Sequence, residues 1–131
     1  MKRKLELLAP AGSYEALVAA IQNGANAIYL GGSQFSARAF ATNFSNEEIK
    51  EAVNYAHLRN VKIYVTVNTL YADTEFSELH TYLTYLYSIN IDAIIVQDIV
   101  VLYLVIEYFP DFAVLMSKQP RIYPSAGVKF F

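Results

Sequence analysis

The sequence predicts an α/β fold of parallel βα repeats, a partial (half) TIM-type barrel of about five strands and four helices. Three observations predict it. Short β-rich runs alternate with longer helical runs along the chain. The central strand carries an apolar face and a file of polar side chains, which suits a barrel interior better than the second helix layer of a doubly wound sheet. Its 131 residues fall well short of the eight strands and about 250 residues of a closed barrel.

The elements follow in order. Leu5 to Ala9 reads as a first strand; Ala11-Gly12-Ser13 then leads into a helix from about Tyr14 to Asn23, with Ser13 as cap and Gly24 as stop. Ala27 to Gly31 is the second strand. Ser45 and Glu48 form a capping box with Phe44 and Ile49 at the staple positions, opening a helix that runs to about Arg59 and ends at Asn60. Val61 to Val67 is the third strand. Its Val61, Ile63, Val65 and Val67 should face the helices, and Lys62, Tyr64, Thr66 and Asn68 the interior. Asp73 or Thr74 caps a third helix with Leu79, Tyr82, Leu83 and Leu86 on one face. Ile91 to Val96 is the fourth strand, the helix from about Ile99 to Phe109 stops at Pro110, and Phe112 to Met116 is the fifth strand. The chain reads as one truncated barrel-like domain over 1–131, with 118–131 an irregular tail broken by Pro120, Pro124 and Gly127.

Two expectations attach to this frame. Alternate barrel strands fill one layer, so Glu6 and Lys62 either form a buried pair or reach solvent at the barrel floor. Breaking a buried pair would cost about 3–5 kcal/mol. The run "IVVLYLVI", Ile99 to Ile106, is apolar on every side, where an outer barrel helix should show water a polar face; burial in an interface is the expected reason.

Composition narrows the chemistry. A chain that is 55% hydrophobic and 17% charged is not disordered, and no apolar run reaches the length of a bilayer span. Met1-Lys2-Arg3-Lys4 leads into no signal-peptide core, so a cytoplasmic protein without membrane contact is expected. With no cysteine, the chain offers no disulfide, zinc-thiolate or iron–sulfur ligand, and His57 and His80 make no convincing metal site. A net charge of −2 gives no general attraction to nucleic acid, so stand-alone nucleic-acid binding is not expected. The charge is unevenly placed. From Ile63 through Ser117 there is no Lys or Arg but seven acids, which reads either as solvated helix faces or as complementarity to another subunit or to a remainder of the protein.

Strand-to-helix loops of a barrel open on the face where sites are built. The residues that follow the strands are therefore the ligand-binding candidates: Gly12; Gly31, Gly32, Ser36 and Arg38; Asn68; Gln97 and Asp98; Ser117 and Gln119. Gly31 and Gly32 would let a polar ligand approach the backbone, and Arg38 would clamp its carboxylate or phosphate. The plainer reading makes Gly31-Gly32 a tight loop, pairs Arg38 with a surface acid and uses Asp98 as a helix cap. No catalytic group is assignable. Glu6, Asp73 and Asp98 form no acid–base pair without distances, Ser13, Ser36 and Ser117 lack a G-x-S-x-G setting, and His57 and His80 read as surface or helix-end residues. Most of the tyrosines read as core and interface filler, with Tyr29 and Tyr64 at the barrel mouth.

The ordered motifs "LAPAGS", "YLGG" with "FSARAF", "VTVNT" and "VQD", followed by "YFPDF" and "AGVKFF", resemble the start of the collagenase-like peptidases, the peptidase U32 family. The resemblance covers nearly the whole chain and implies the first half of a family barrel, with the Gly31–Arg38 loop on its ligand-facing rim. It implies a protease of uncertain mechanism, or alternatively hydroxylation of tRNA, ribosomal RNA or ubiquinone, or a non-catalytic binding module. The family's iron–sulfur cysteines lie downstream of this region and are absent here. After the fifth strand the family reads close to "HASTQM" where this chain has "LMSKQPRIYP": Ser117 and Gln119 fit, whereas Leu115, Met116, Lys118 and Pro120 do not. Pro124 stands where the family commonly has asparagine. A chain inactive alone is therefore expected, completed by a second copy or by a complementary C-terminal half, with a peptide or other polar ligand.

Overall fold

A computed structural model describes residues 6–32, 44–67, 76–116 and 129–130, with Phe76, Lys129 and Phe130 described by backbone alone. Its elements alternate as β1 (Leu8–Pro10), α1 (Tyr14–Gln22), β2 (Ala27–Gly31), α2 (Asn46–His57), β3 (Lys62–Val67), α3 (Phe76–Ser88), β4 (Ala93–Val96), α4 (Ile99–Tyr108), β5 (Val114–Met116) and β6 (Lys129–Phe130). The six strands are all parallel and lie in the order β1-β2-β3-β4-β5-β6. Each strand is thus beside its sequence neighbours. With right-handed crossovers, such an order keeps every helix on one face of the sheet, as in a barrel, and leaves no reversal point of a doubly wound fold.

The two faces confirm the arrangement. Ile28, Leu30, Ile63, Val65, Val67, Ile94, Val96 and Met116 are buried with helix residues such as Leu17, Ile49, Leu79, Leu83 and Val101 in the main core. On the other face, Ala27, Tyr64, Ala93 and Ile95 form a separate cluster with Leu8, Tyr29 and Leu115, all of them strand residues. The alternation read from Val61 to Val67 holds.

Local signals act as their chemistry requires. Ser13 Oγ accepts the Ala16 N–H at 3.1 Å. In α2 the capping box is complete: Glu48 N–H donates to Ser45 Oγ at 3.2 Å and Ser45 N–H donates to Glu48 Oε1 at 2.8 Å, with Phe44 and Ile49 both buried. The first three helices end alike. Gly24, Asn60 and Asn90 take positive φ of 98°, 60° and 66°, and the next residue donates five positions back, Ala25 to Ala20, Val61 to Ala56 and Ile91 to Leu86. This is the left-handed stop in which the following apolar residue, buried in all three cases, turns the chain into the next strand.

Several boundaries differ from the sequence reading. Strand β1 begins at Leu8 rather than Leu5 and ends on Pro10, whose missing N–H is tolerated at a sheet edge. Before it, Leu7 N–H is taken by Asn26 Oδ1 at 2.9 Å. Within the expected irregular tail, Lys129 and Phe130 pair with β5 as a short sixth strand. The proposed caps Asp73 and Thr74 lie outside the described residues. The apolar helix α4 buries Val101, Leu102 and Val105 and leaves Ile99, Val100, Tyr103 and Ile106 exposed.

Candidate functional site: the open rim and floor of the sheet

Parallel strands put all their C-terminal ends on one edge, the rim, and all their entries on the opposite edge, the floor. Along the rim, Gly31 is level with Thr66, Thr66 with Ile95, and Ile95 with Leu115. Thr66 Oγ1 donates to Leu30 O at 3.3 Å. Past this row, Gln97 and Asp98 are half-buried where the chain leaves β4. Gly31 and Gln97 are brought to the same edge, on strands separated only by β3, with Gln97 two residues beyond the position level with Gly31. Gly12 is exposed in the β1–α1 turn, with open space around its Cα. Ser36, Arg38, Asn68, Ser117 and Gln119 lie outside the described residues.

Two of the candidates have local employment. Asp98 caps α4, its Oδ1 accepting the Val100 N–H at 2.8 Å. Gly32 is buried on the helix side of the sheet, bridged to Phe44. A Cβ placed on it would overlap the Tyr82 hydroxyl and lie 3.2 Å from Tyr82 Cζ and 3.3 Å from Ile49 Cδ1. The second glycine therefore makes room for a tyrosine of α3, beneath the sheet rather than in front of it.

The floor holds polar contacts that the sequence did not disclose. Each strand entry after a left-handed stop offers a comparable position, occupied by Asn26, Lys62 and Asp92. Asn26 Oδ1 takes the Leu7 N–H, as noted, and Asp92 Oδ2 takes the Ile63 N–H at 2.7 Å. That same carboxylate oxygen meets His57 Nε2 at 2.7 Å, tying the end of α2 to the start of β4. Lys62, which cannot accept, is exposed. So is Glu6, and the buried Glu6–Lys62 pair is not formed; Glu6 Oε1 instead accepts the Tyr64 hydroxyl proton at 3.1 Å. Tyr64 thus belongs to the lower part of the sheet, not to the mouth. A cavity of about 340 Å³ opens at this end beside Lys62, Tyr64, Asp92 and Ala113.

Burial among the strands pushes the Tyr64 phenol up to about 12, aided by its hydrogen bond to Glu6 and by the charges of Glu6 and Asp92. An unfolded tyrosine ionises near pH 10. The neutral Tyr64 therefore contributes its full stabilisation below about pH 10, and that contribution is lost as pH climbs toward 12. Urea denaturation at rising pH should show stability falling across this window, with a shallower fall in Tyr64→Phe.

Among the described residues, no group of three or more His, Cys, Asp or Glu side chains is placed to hold a metal ion, and no helix is long and apolar enough to cross a membrane. Among the described residues, the rim carries the Gly31 backbone, the Thr66 hydroxyl and the Gln97 amide.

Comparison with known proteins adds to this geometry. The sequence profile of peptidase family U32 matches residues 12–131. The tRNA hydroxylation protein P1 of Bacillus subtilis is 36% identical over 129 residues, which are 98% of this chain and 31% of that protein. An uncharacterized protease of Methanocaldococcus jannaschii, MJ0090, is 35% identical over 127 residues, 97% of this chain and 31% of that protein. The solved structure of the U32 peptidase Mk0906 superposes with a TM-score of 0.67 at 13% identity, covering 91% of this chain and 50% of that one. The chain thus spans about a third of the length of these two curated relatives.

Proposed function

The chain belongs to peptidase family U32, and on that premise we propose that it is the N-terminal part of a hydroxylating barrel acting on RNA, supplying part of a substrate-binding rim and inactive until the barrel is completed. The observation that carries this reading is the division of labour between the two edges of the sheet. The rim presents Gly31, Thr66 and Gln97, uncharged groups whose chemistry is hydrogen bonding, and its Asp98 is engaged as a helix cap, whereas His57 is held by Asp92 at the opposite edge. Ser13, beside the rim, has its oxygen engaged as a helix cap. An iron–sulfur cluster bound through thiolates does not fit this chain, which has no cysteine, so its ligands would come from residues beyond it. The net charge of −2 agrees with RNA affinity residing in another part of the barrel. The complement is a C-terminal half rather than a second copy, and the setting is the cytoplasm. A second reading, peptide hydrolysis, is favoured by the protease name of the Methanocaldococcus relative.

The two are separable by a chimera. This chain replaces the matched region of tRNA hydroxylation protein P1 in a Bacillus subtilis strain lacking its own tRNA hydroxylation proteins, and tRNA nucleosides are examined by mass spectrometry. Restoration of the nucleoside that is heavier by one oxygen is expected, with loss of yield in Gln97→Ala. Peptide cleavage by the purified chain alone, or a stable chimera that leaves tRNA unmodified, would overturn the proposal.

A further inference from the structure

The outer surface of α4 does not belong to the rim, the floor or the core. Its buried residues, Val101, Leu102 and Val105, face the sheet. On the opposite side Ile99, Val100, Tyr103 and Ile106 are 36%, 52%, 60% and 48% exposed. Ile99, Tyr103 and Ile106 are spaced i, i+4, i+7, so they form a continuous seam along the helix of the kind a second helix packs against. Scattered apolar residues need no explanation, but a seam does.

The charges around the seam say what kind of helix. Exposed Glu107 sits on the same outer face, with exposed Asp111 just beyond the end of the helix and exposed Glu78 on α3. No Lys or Arg occurs anywhere from Ile63 through Ser117, so neither α3 nor α4 carries a Lys or Arg to balance them. A second copy joined through the same face would bring the same acids and no Lys or Arg of this stretch to pair them. A lipid surface is also disfavoured, because helices that lie on membranes carry Lys and Arg on their polar face and meet anionic headgroups. Complementarity is met by the opposite sign.

We propose that the outer face of α4 is a docking surface for a basic amphipathic helix of a partner polypeptide, with Ile99, Tyr103 and Ile106 as apolar anchors and Glu107 and Asp111 pairing its Lys or Arg residues. The seam is small beside a standard interface, so the contact is weak and salt-sensitive. It is independent of the hydroxylation reading, because it uses neither the rim nor any substrate.

The test is fluorescence anisotropy of a labelled synthetic helix with Leu at the i, i+3, i+4, i+7 positions and Lys elsewhere, beside a copy with Glu in place of Lys. The Lys peptide is expected to bind, weakening as salt is raised, and the Glu peptide not to bind. Ile106→Lys and Tyr103→Lys, each checked for folding by circular dichroism, should weaken binding by about tenfold or more. Leu58→Lys, at an 82% exposed leucine beyond α2, should leave it unchanged. Equal binding of both peptides, or binding insensitive to the α4 variants, would overturn the proposal. So would a dimer that Ile106→Lys converts to monomer, or adsorption to phosphatidylcholine vesicles that Ile106→Lys abolishes.

Discussion

Gly32→Ala is expected to destabilise the chain by about 1–3 kcal/mol, because the added methyl overlaps the hydroxyl of a tyrosine that is 2% exposed and cannot swing into water. The contact is with the end of the Tyr82 side chain, so shortening that side chain should relieve it. In the double variant Gly32→Ala/Tyr82→Phe, the remaining neighbours at 3.2 and 3.3 Å are tight but adjustable. Most of the lost stability should return, leaving a coupling between the two sites well above the few tenths of a kcal/mol expected of independent positions. Urea denaturation of the four chains measures it. If Gly32 served instead to admit a ligand, the single variant would keep its stability and the second substitution would rescue nothing.

Asp92→Ala is the second large effect, again about 1–3 kcal/mol, and its origin can be assigned by comparison. The contact with His57 lies at the surface, its side chains 36% and 29% exposed, where even a charged pair contributes at most about 1 kcal/mol. The Ile63 N–H is part-buried at the start of β3 and loses its acceptor outright. His57→Ala should therefore cost little, whereas Asp92→Ala should cost substantially more. Asp92→Asn should retain most of the stability, since Asn26 holds Leu7 in the equivalent place with an amide oxygen. Thermal melts of the three variants decide it; equal losses in His57→Ala and Asp92→Ala would shift the weight to the His57–Asp92 contact.

What the sequence disclosed was local or periodic. The alternation from Val61 to Val67 named the face of each side chain, and Ser45 with Glu48 named the start of α2, because both signals are complete within a few residues. Gly24 and Asn60 were legible as stops. Asn90 does the same work but is hidden in the sequence, since it sits between two isoleucines and resembles the start of the next strand. The floor contacts were not legible for another reason. His57 and Asp92 are 35 residues apart and Tyr64 and Glu6 are 58 apart, and no spacing rule joins residues that meet only through strand register. Of the two outcomes open to Glu6 and Lys62, a buried pair or exposure to solvent, the structure has the second, and Glu6 meets Tyr64 instead. Tyr64 stands two residues further up the same inner file.

The reading of the two glycines divides in the same way. Gly31 stands on the inner row at the rim, where the sequence placed a ligand, whereas Gly32 turns to the helix layer and is accounted for by packing. The all-round apolarity of α4 signalled a second contact surface, but only the structure separates the residues that bury against the sheet from those that remain outside.

This sheet has helices on one face and a strand-only apolar cluster on the other, and a separate C-terminal part is proposed to complete it. The most direct measurement is the absolute mass, by light scattering, of the purified chain mixed with the separately produced remainder of tRNA hydroxylation protein P1. A one-to-one complex is predicted, in which the Tyr64 titration moves further from that of a free tyrosine as the inner face is covered. A chain that stays monomeric beside the remainder, with Tyr64 titrating unchanged, would contradict the account.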